Sequence, residues 1–321
     1  MINKRRDLAV LFIIFNRPDT TFQVFERIRQ AKPAKLFIAA DGPRADRVGE
    51  AELCAQARSV LDKVDWDCEV HTLFQDENLG CKYGPSTAID WFFQNVEEGI
   101  ILEDDCVPDP SFFPYCQELL EKYRDNPKIL SISGFNFGYS PVNANASYSF
   151  SRYMNMWGWA TWRRSLKLID YEVKDWNEMD KVGFLYRGTR SSIFDFDWKW
   201  IKDWRRTFND LVNLKVDAWD YCWLYAGFKY KMLSIFPSEN LVQNIGFNED
   251  ATHTHDDKHI MGKIKSNPIS LPLAHPKKIN RNIEFEENYI KKVWQSYHRK
   301  GLIYQLKTFT REELLPKIGI H

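Results

Sequence analysis

The sequence has no charge of one sign to spare: 44 Lys and Arg face 44 Asp and Glu. That balance removes the usual footprint of a nucleic-acid or membrane-surface binder, so function has to come from local sites. Cysteine is sparse and unpatterned. The six (Cys54, Cys68, Cys81, Cys106, Cys116 and Cys222) form no CxxC pair and no finger-like spacing, which argues against a structural zinc site. A chain of 321 residues does not need disulfide staples, and the thiols are expected to be reduced. No apolar run is long enough to cross a bilayer either. The run from Leu8 to Phe15, behind Lys4, Arg5 and Arg6, is too short and lacks a small-residue cleavage site. Internal repeats and low-complexity tracts are missing. A cytoplasmic protein is expected; its C-terminal Lys and Arg either form a solvated tail or touch the inner face of an anionic membrane.

What is present is a core-forming chain, 44% hydrophobic and 15% aromatic, with twelve Trp, many of them between Trp157 and Trp223. Leu8 to Phe15 reads as a strand covered on both faces, followed by the turn Asn16-Arg17-Pro18-Asp19 and a helix capped by Thr20 or Thr21. Lys35–Ala40 is a second strand ending at Asp41-Gly42-Pro43, Glu50–Val64 a helix, and Glu69–Phe74 a third strand. Gly84-Pro85-Ser86 opens another helix, and Gly99–Leu102 is a strand that runs into Glu103-Asp104-Asp105. A helix over Ser111–Tyr123 and a strand over Ile129–Ser133 follow, and Lys277 to Lys300 looks peripheral. This cadence predicts an α/β fold with a mainly parallel, Rossmann-like central sheet and flanking helices. Open sheets of this kind bind ligands beyond the carboxyl ends of their strands. Asn16-Arg17, Asp41 and the three acids are therefore expected to share one crevice.

Glu103-Asp104-Asp105 is the sharpest feature. Two charges ~4 Å apart at an effective dielectric of ~20 repel by about 4 kcal/mol. A cation or oriented donors must offset that cost. Hard oxygens suit Mg²⁺ or Mn²⁺, which bind through one or two carboxylates plus substrate phosphates. A solvated acidic turn is the plain alternative.

The segment from Ile100 to Tyr115, with Glu-Asp-Asp followed by Pro-Asp-Pro-Ser-Phe-Phe, resembles the DxD region of GT-A glycosyltransferases. It is especially similar to the N-acetylglucosaminyltransferases that initiate complex N-glycan branching and to their bacterial relatives. Weaker similarities follow in the same order at Asn16-Arg17, Ala39–Gly42, Trp157-Gly158-Trp159, Ala218–Tyr221 and Pro237–Gly246 with His253 downstream. The resemblance implies a GT-A domain over 1–255, with a nucleotide-sugar half at 8–135 and an acceptor half at 136–255, and a C-terminal helical extension over 256–321. It implies Asp105 as metal ligand, with His253 completing the shell. Asp104 would contact the ribose, Glu103 the transferred sugar, and Arg17 and Asp41 the nucleotide. Asp220 would be the general base, although Tyr221 stands where the family has a second aspartate, which leaves Asp217 as the alternative. The implied partners are a nucleotide-sugar donor, best a UDP-sugar carrying N-acetylglucosamine or another hexose, and a glycan or lipid-linked acceptor in surface polysaccharide assembly.

Trp157 and Trp159 are candidates to line the acceptor cleft, with core packing an equal alternative for each. Asn78-Leu79-Gly80 with Lys82 and Gly84 could cover phosphates, since glycine permits close backbone approach, although the spacing is not a Walker A pattern. His255 is a second imidazole beside His253. Two other readings compete: a sugar-phosphate nucleotidyltransferase, which would want a Gly-rich basic loop after the first strand, and a non-catalytic carbohydrate- or cation-binding module.

Overall fold

A computed structural model describes residues 8–140, 145–181, 198–247 and 260–292. Eight strands form one mixed sheet in the order β3-β2-β1-β4-β8-β6-β9-β7. The first block is parallel: β1 (Ala9–Ile14) lies between β2 (Lys35–Ala40) and β4 (Glu98–Glu103), and β3 (Glu69–Phe74) is outside β2. Beyond β4 come β8 (Trp159–Trp162), antiparallel to both its neighbours, then β6 (Ile129–Ser133) and β9 (Leu233–Pro237), parallel to each other, and antiparallel β7 (Tyr148–Ser151). A two-stranded antiparallel ribbon joins β5 (Cys106–Pro108) to β10 (Val242–Asn244). The α/β, Rossmann-like expectation holds for the first half, and the second half is mixed. Val10, Leu11 and Phe12 are fully buried, as a strand covered on both faces requires. Each such side chain contributes about 1.5–3 kcal/mol by leaving water.

Several boundaries differ from the sequence reading for identifiable reasons. Helix α1 (Pro18–Ala31) starts at Pro18, whose fixed φ suits the first helical position. Thr20 does not cap it, and its hydroxyl instead donates to the Arg17 carbonyl. Helix α2 (Glu50–Arg58) passes into a 3₁₀ turn, Ser59–Lys63. Helix α3 (Gly80–Asn95) begins before Pro85, not at Gly84, because two aspartates hold the amides of its start. Helix α4 (Phe112–Tyr123) matches its predicted span to one residue, and α5 (Arg163–Leu166), α6 (Trp176–Lys181) and α7 (Trp198–Val212) follow it among the described residues.

The two halves do not separate into domains, since β8 of the second half lies between β4 and β6 of the first. Residues 260–292, expected as part of an extension, belong to the same cores. Phe285, Tyr289 and Ile290 are buried, and Phe285 packs on Phe236 with ring centroids 4.4 Å apart. Fully buried Glu286 accepts hydrogen bonds from Ser151 Oγ (3.2 Å) and the Arg152 amide (2.8 Å), and pairs with Arg281. The segment is therefore not peripheral over these residues. Among the described residues no helix is long and apolar enough to cross a membrane.

Candidate active site at the β1–β4 switch point

The chain runs from β1 outward to β2 and β3, then returns to the other side of β1 as β4. In an open sheet that reversal opens a crevice between the carboxyl ends of the two strands. Arg17 leaves β1 and Glu103-Asp104-Asp105 leaves β4 at this point. The Arg17 guanidinium pairs with Asp104 through one nitrogen and lies 3.1 Å from Asp105 Oδ2 through another. The Phe15 amide donates to Asp104 Oδ2 at 3.2 Å. Asp104 is 2% exposed, so its charge is matched by protein donors in place of water.

These neighbours set the proton affinities. Burial lowers the affinity of Arg17, but Asp104 and Asp105 outweigh it and hold the guanidinium firmly charged. Burial pushes the Asp104 carboxyl above its ordinary range against the pull of Arg17, with Asp105 adding to the rise. Glu103 is pushed well up, first by burial, then by Asp105, Asp104 and Asp220. Asp220 opens helix α8 (Asp220–Tyr230) in the second half of the chain. Its influence on Glu103 brings the expected base and the acidic turn into one electrostatic neighbourhood. Cys81 reports the same convergence: burial, Glu103, Asp220 and Asp217 push its thiol up to about 12.

Asp41 is close by, but its carboxylate is already engaged. It accepts from the amides of Gly42 (2.9 Å), Leu79 (2.8 Å) and Gly80 (3.1 Å) and from Asn78 Nδ2 (2.9 Å). Asp217 accepts from the Cys81 and Lys82 amides at 2.9 and 2.8 Å. The 78–82 turn therefore presents its amides to these carboxylates, which corrects the idea that it is open to phosphates. Lys82 is likewise turned inward, buried and paired with Glu172 at 3.1 Å. Both oxygens of Asp217 face amides, and Asp220 Oδ1 accepts from the Tyr221 amide at 3.0 Å.

Trp159 is corrected as an acceptor contact. It is fully buried in β8 and stacks on Trp219 (5.8 Å) and edge-on to Trp223 (4.8 Å). It supports the residue before Asp220 and offers no face to a ligand. Trp157 is partly exposed, braced by Phe135 and Phe247, and remains available. Gly158 between them has φ +63°, and a Cβ there would come within 2.7 Å of Val242, so only glycine fits. His253 and His255 lie outside the described residues.

Some contributors carried no sequence signal. Asn244 Nδ2 reaches Asp105 Oδ1 at 3.3 Å, and the Ile245 amide donates to the Asp105 carbonyl at 2.8 Å. Gly246 lies against Asp105 and Arg17 so closely that any Cβ would collide. Glu50 holds the turn before α1 through Asn16 Nδ2 (2.9 Å), the Arg44 amide (2.7 Å) and the Arg44 guanidinium. Only a pairing pattern between distant segments could have revealed these.

Asp105 and Glu103 carry hard oxygen donors of the kind a divalent cation takes together with substrate phosphates. Asp105 is partly exposed: its Oδ1 accepts from Asn244 Nδ2 and the Cys106 thiol, both at 3.3 Å, whereas Oδ2, beside Arg17, keeps a further lone pair. Glu103 has no side-chain hydrogen bond among the described residues. Among the described residues no group of three or more His, Cys, Asp and Glu is arranged to hold a metal ion; a Mg²⁺-type site takes only one or two carboxylates, with substrate phosphates and water completing it. Neither a scan against protein-family models nor a search of curated proteins finds a match to this chain.

Proposed function

We propose that this chain is a GT-A-type glycosyltransferase, transferring a sugar from a nucleotide-diphosphate donor, best a UDP-sugar, to a hydroxyl of a glycan or lipid-linked acceptor. The observation carrying the reading is the gathering of Arg17 and three carboxylates at the β1–β4 switch point, with Asp220, from the other half of the chain, near enough to add to the raised proton affinity of Glu103. A bound Mn²⁺ or Mg²⁺ would supply charge neutralisation for the departing diphosphate. Asp105, with Glu103 beside it, would hold that ion. Arg17 would stabilise negative charge on the phosphates once they compete for it, and Asp104 keeps its guanidinium oriented. Asp220 takes the proton of the acceptor hydroxyl as it attacks. One base and direct displacement invert the anomeric centre. Partly exposed Trp157 offers an apolar ring face to the acceptor sugar.

A thermal-shift screen of UDP-, GDP-, dTDP- and CMP-sugars with and without Mn²⁺ tests this. One sugar nucleotide plus Mn²⁺ should raise the melting temperature more than either alone. No shift with any of them overturns the reading. Turnover of a sugar phosphate with a nucleoside triphosphate would redirect it to a nucleotidyltransferase.

A further inference from the structure

Four successive amides, those of residues 79 to 82, are shared between two carboxylates from distant parts of the chain. Leu79 and Gly80 donate to Asp41 at 2.8 and 3.1 Å, and Cys81 and Lys82 to Asp217 at 2.9 and 2.8 Å. Asp41 follows β2, whereas Asp217 sits in the loop that leads into α8. The turn at the head of α3 is thus pinned to the nucleotide half by one acid and to the acceptor half by the other. Two glycines make room. A Cβ on Gly80, whose φ is +80°, would come within 2.9 Å of Asp217 Oδ2, and one on Gly84 within 3.1 Å of Asp41 Oδ2.

The loop after Asp217 has little slack. Ala218 and Trp219 are buried, Trp219 stacks on Trp159, and Asp220 follows at once as the first residue of α8. Fixing Asp217 against α3 therefore fixes where Asp220 stands relative to Glu103 and the acidic turn. A carboxylate spanning two adjacent amides sets position and direction, which a single hydrogen bond does not.

We infer that Asp217 is a positioning residue: by clamping the head of α3 it sets the distance between the base Asp220 and the donor-side carboxylates. The inference rests on the transferase reading for its chemistry but not for its geometry, and the test separates the two. In Asp217→Ala, transfer with the donor found by the screen should lose about 10–100-fold in kcat, the scale of a misplaced catalytic group. Donor KM and the donor-induced melting shift should stay within about twofold. Asp217→Asn, which keeps one acceptor oxygen, should recover part of the loss. Unchanged kcat in Asp217→Ala, or a loss confined to donor KM, overturns the inference. Independently of any substrate, amide exchange by NMR should quicken at Cys81, Lys82 and the first turn of α8, while Leu79 and Gly80 stay protected by Asp41. Quickening at Cys81 and Lys82 alone would make Asp217 a helix cap and nothing more. If the wild type turns over no sugar nucleotide, the transferase reading falls and the exchange measurement alone decides the positioning role.

Discussion

The guanidinium of Arg17 lies against the carboxylate of Asp104, and Asp104 is almost wholly withdrawn from water. Breaking a buried pair by removing one partner leaves an uncompensated charge, which costs about 3–5 kcal/mol. Arg17→Ala should show a loss of that order in urea unfolding at pH 7.5, easing as the carboxyls protonate in acid. Mn²⁺ should then stabilise Arg17→Ala more than wild type, because it substitutes for the missing cation. A loss under about 1 kcal/mol would mean that the carboxylates are already neutral at that pH.

Glu50 provides the pH dependence with the opposite origin. Hydrogen bonds from Arg44, opposed by burial and reinforced by Asn16, hold its carboxyl below the ordinary 4.5. A folded-state value below the unfolded one means that the unfolded chain binds more protons in that window. The stabilisation is therefore present above about pH 4.5 and is lost as pH falls through the lower folded-state value. Glu50→Gln should be about 1–2 kcal/mol less stable than wild type at pH 7, modest because Arg44 is 41% exposed. The gap should close below the ordinary carboxylate range. A constant gap across pH would assign the effect to packing.

The apolar strands were legible because their periodicity is local. Lys35–Ala40, Glu69–Phe74 and Ile129–Ser133 end where the sequence pattern ends. The pairing of Arg17 with the acidic turn was also within reach, since both follow buried strands of one parallel block. The start of α3 was not legible. Gly84-Pro85 reads as a beginning, and only Asp41 and Asp217, far away in sequence, let the helix reach back to Gly80. Trp159 and Trp157 are equivalent in the sequence and differ in the fold, because Trp159 is the first residue of buried β8 while Trp157 precedes it, across a left-handed Gly158.

That difference is measurable. Trp159→Ala removes a fully buried indole and should cost about 3–5 kcal/mol. Trp157→Ala should cost less stability and raise the acceptor KM. Equal stability losses with no change in acceptor KM would place both rings in the core alone.

Asp220→Asn keeps the size and the start of α8 while removing the proton acceptor. Donor binding, read as the Mn²⁺-dependent melting shift, should persist. Transfer should fall by about 10²–10⁴-fold, the range for a lost general base. Transfer surviving at the wild-type rate would move the base to another acid.

Gly246 gives the most direct check on Asp105. Its backbone cannot retreat, since the Gly246 amide donates to Asn244 Oδ1 at 2.8 Å and the preceding Ile245 amide is fixed to the Asp105 carbonyl. A methyl group at 246 would overlap Asp105 Oδ2 and stand 3.0 Å from Arg17 Nη1. The carboxylate must swing aside while the ribbon between β5 and β10 stays paired. Gly246→Ala should therefore lose about 1–3 kcal/mol by overpacking, yet weaken Mn²⁺ binding about tenfold or more, because the ligand is displaced with the fold intact. Calorimetric titration of Mn²⁺ in the presence of the nucleoside diphosphate reads this directly. Wild-type affinity in Gly246→Ala would remove Asp105 from the ligand set, and with it the cation from the β1–β4 crevice.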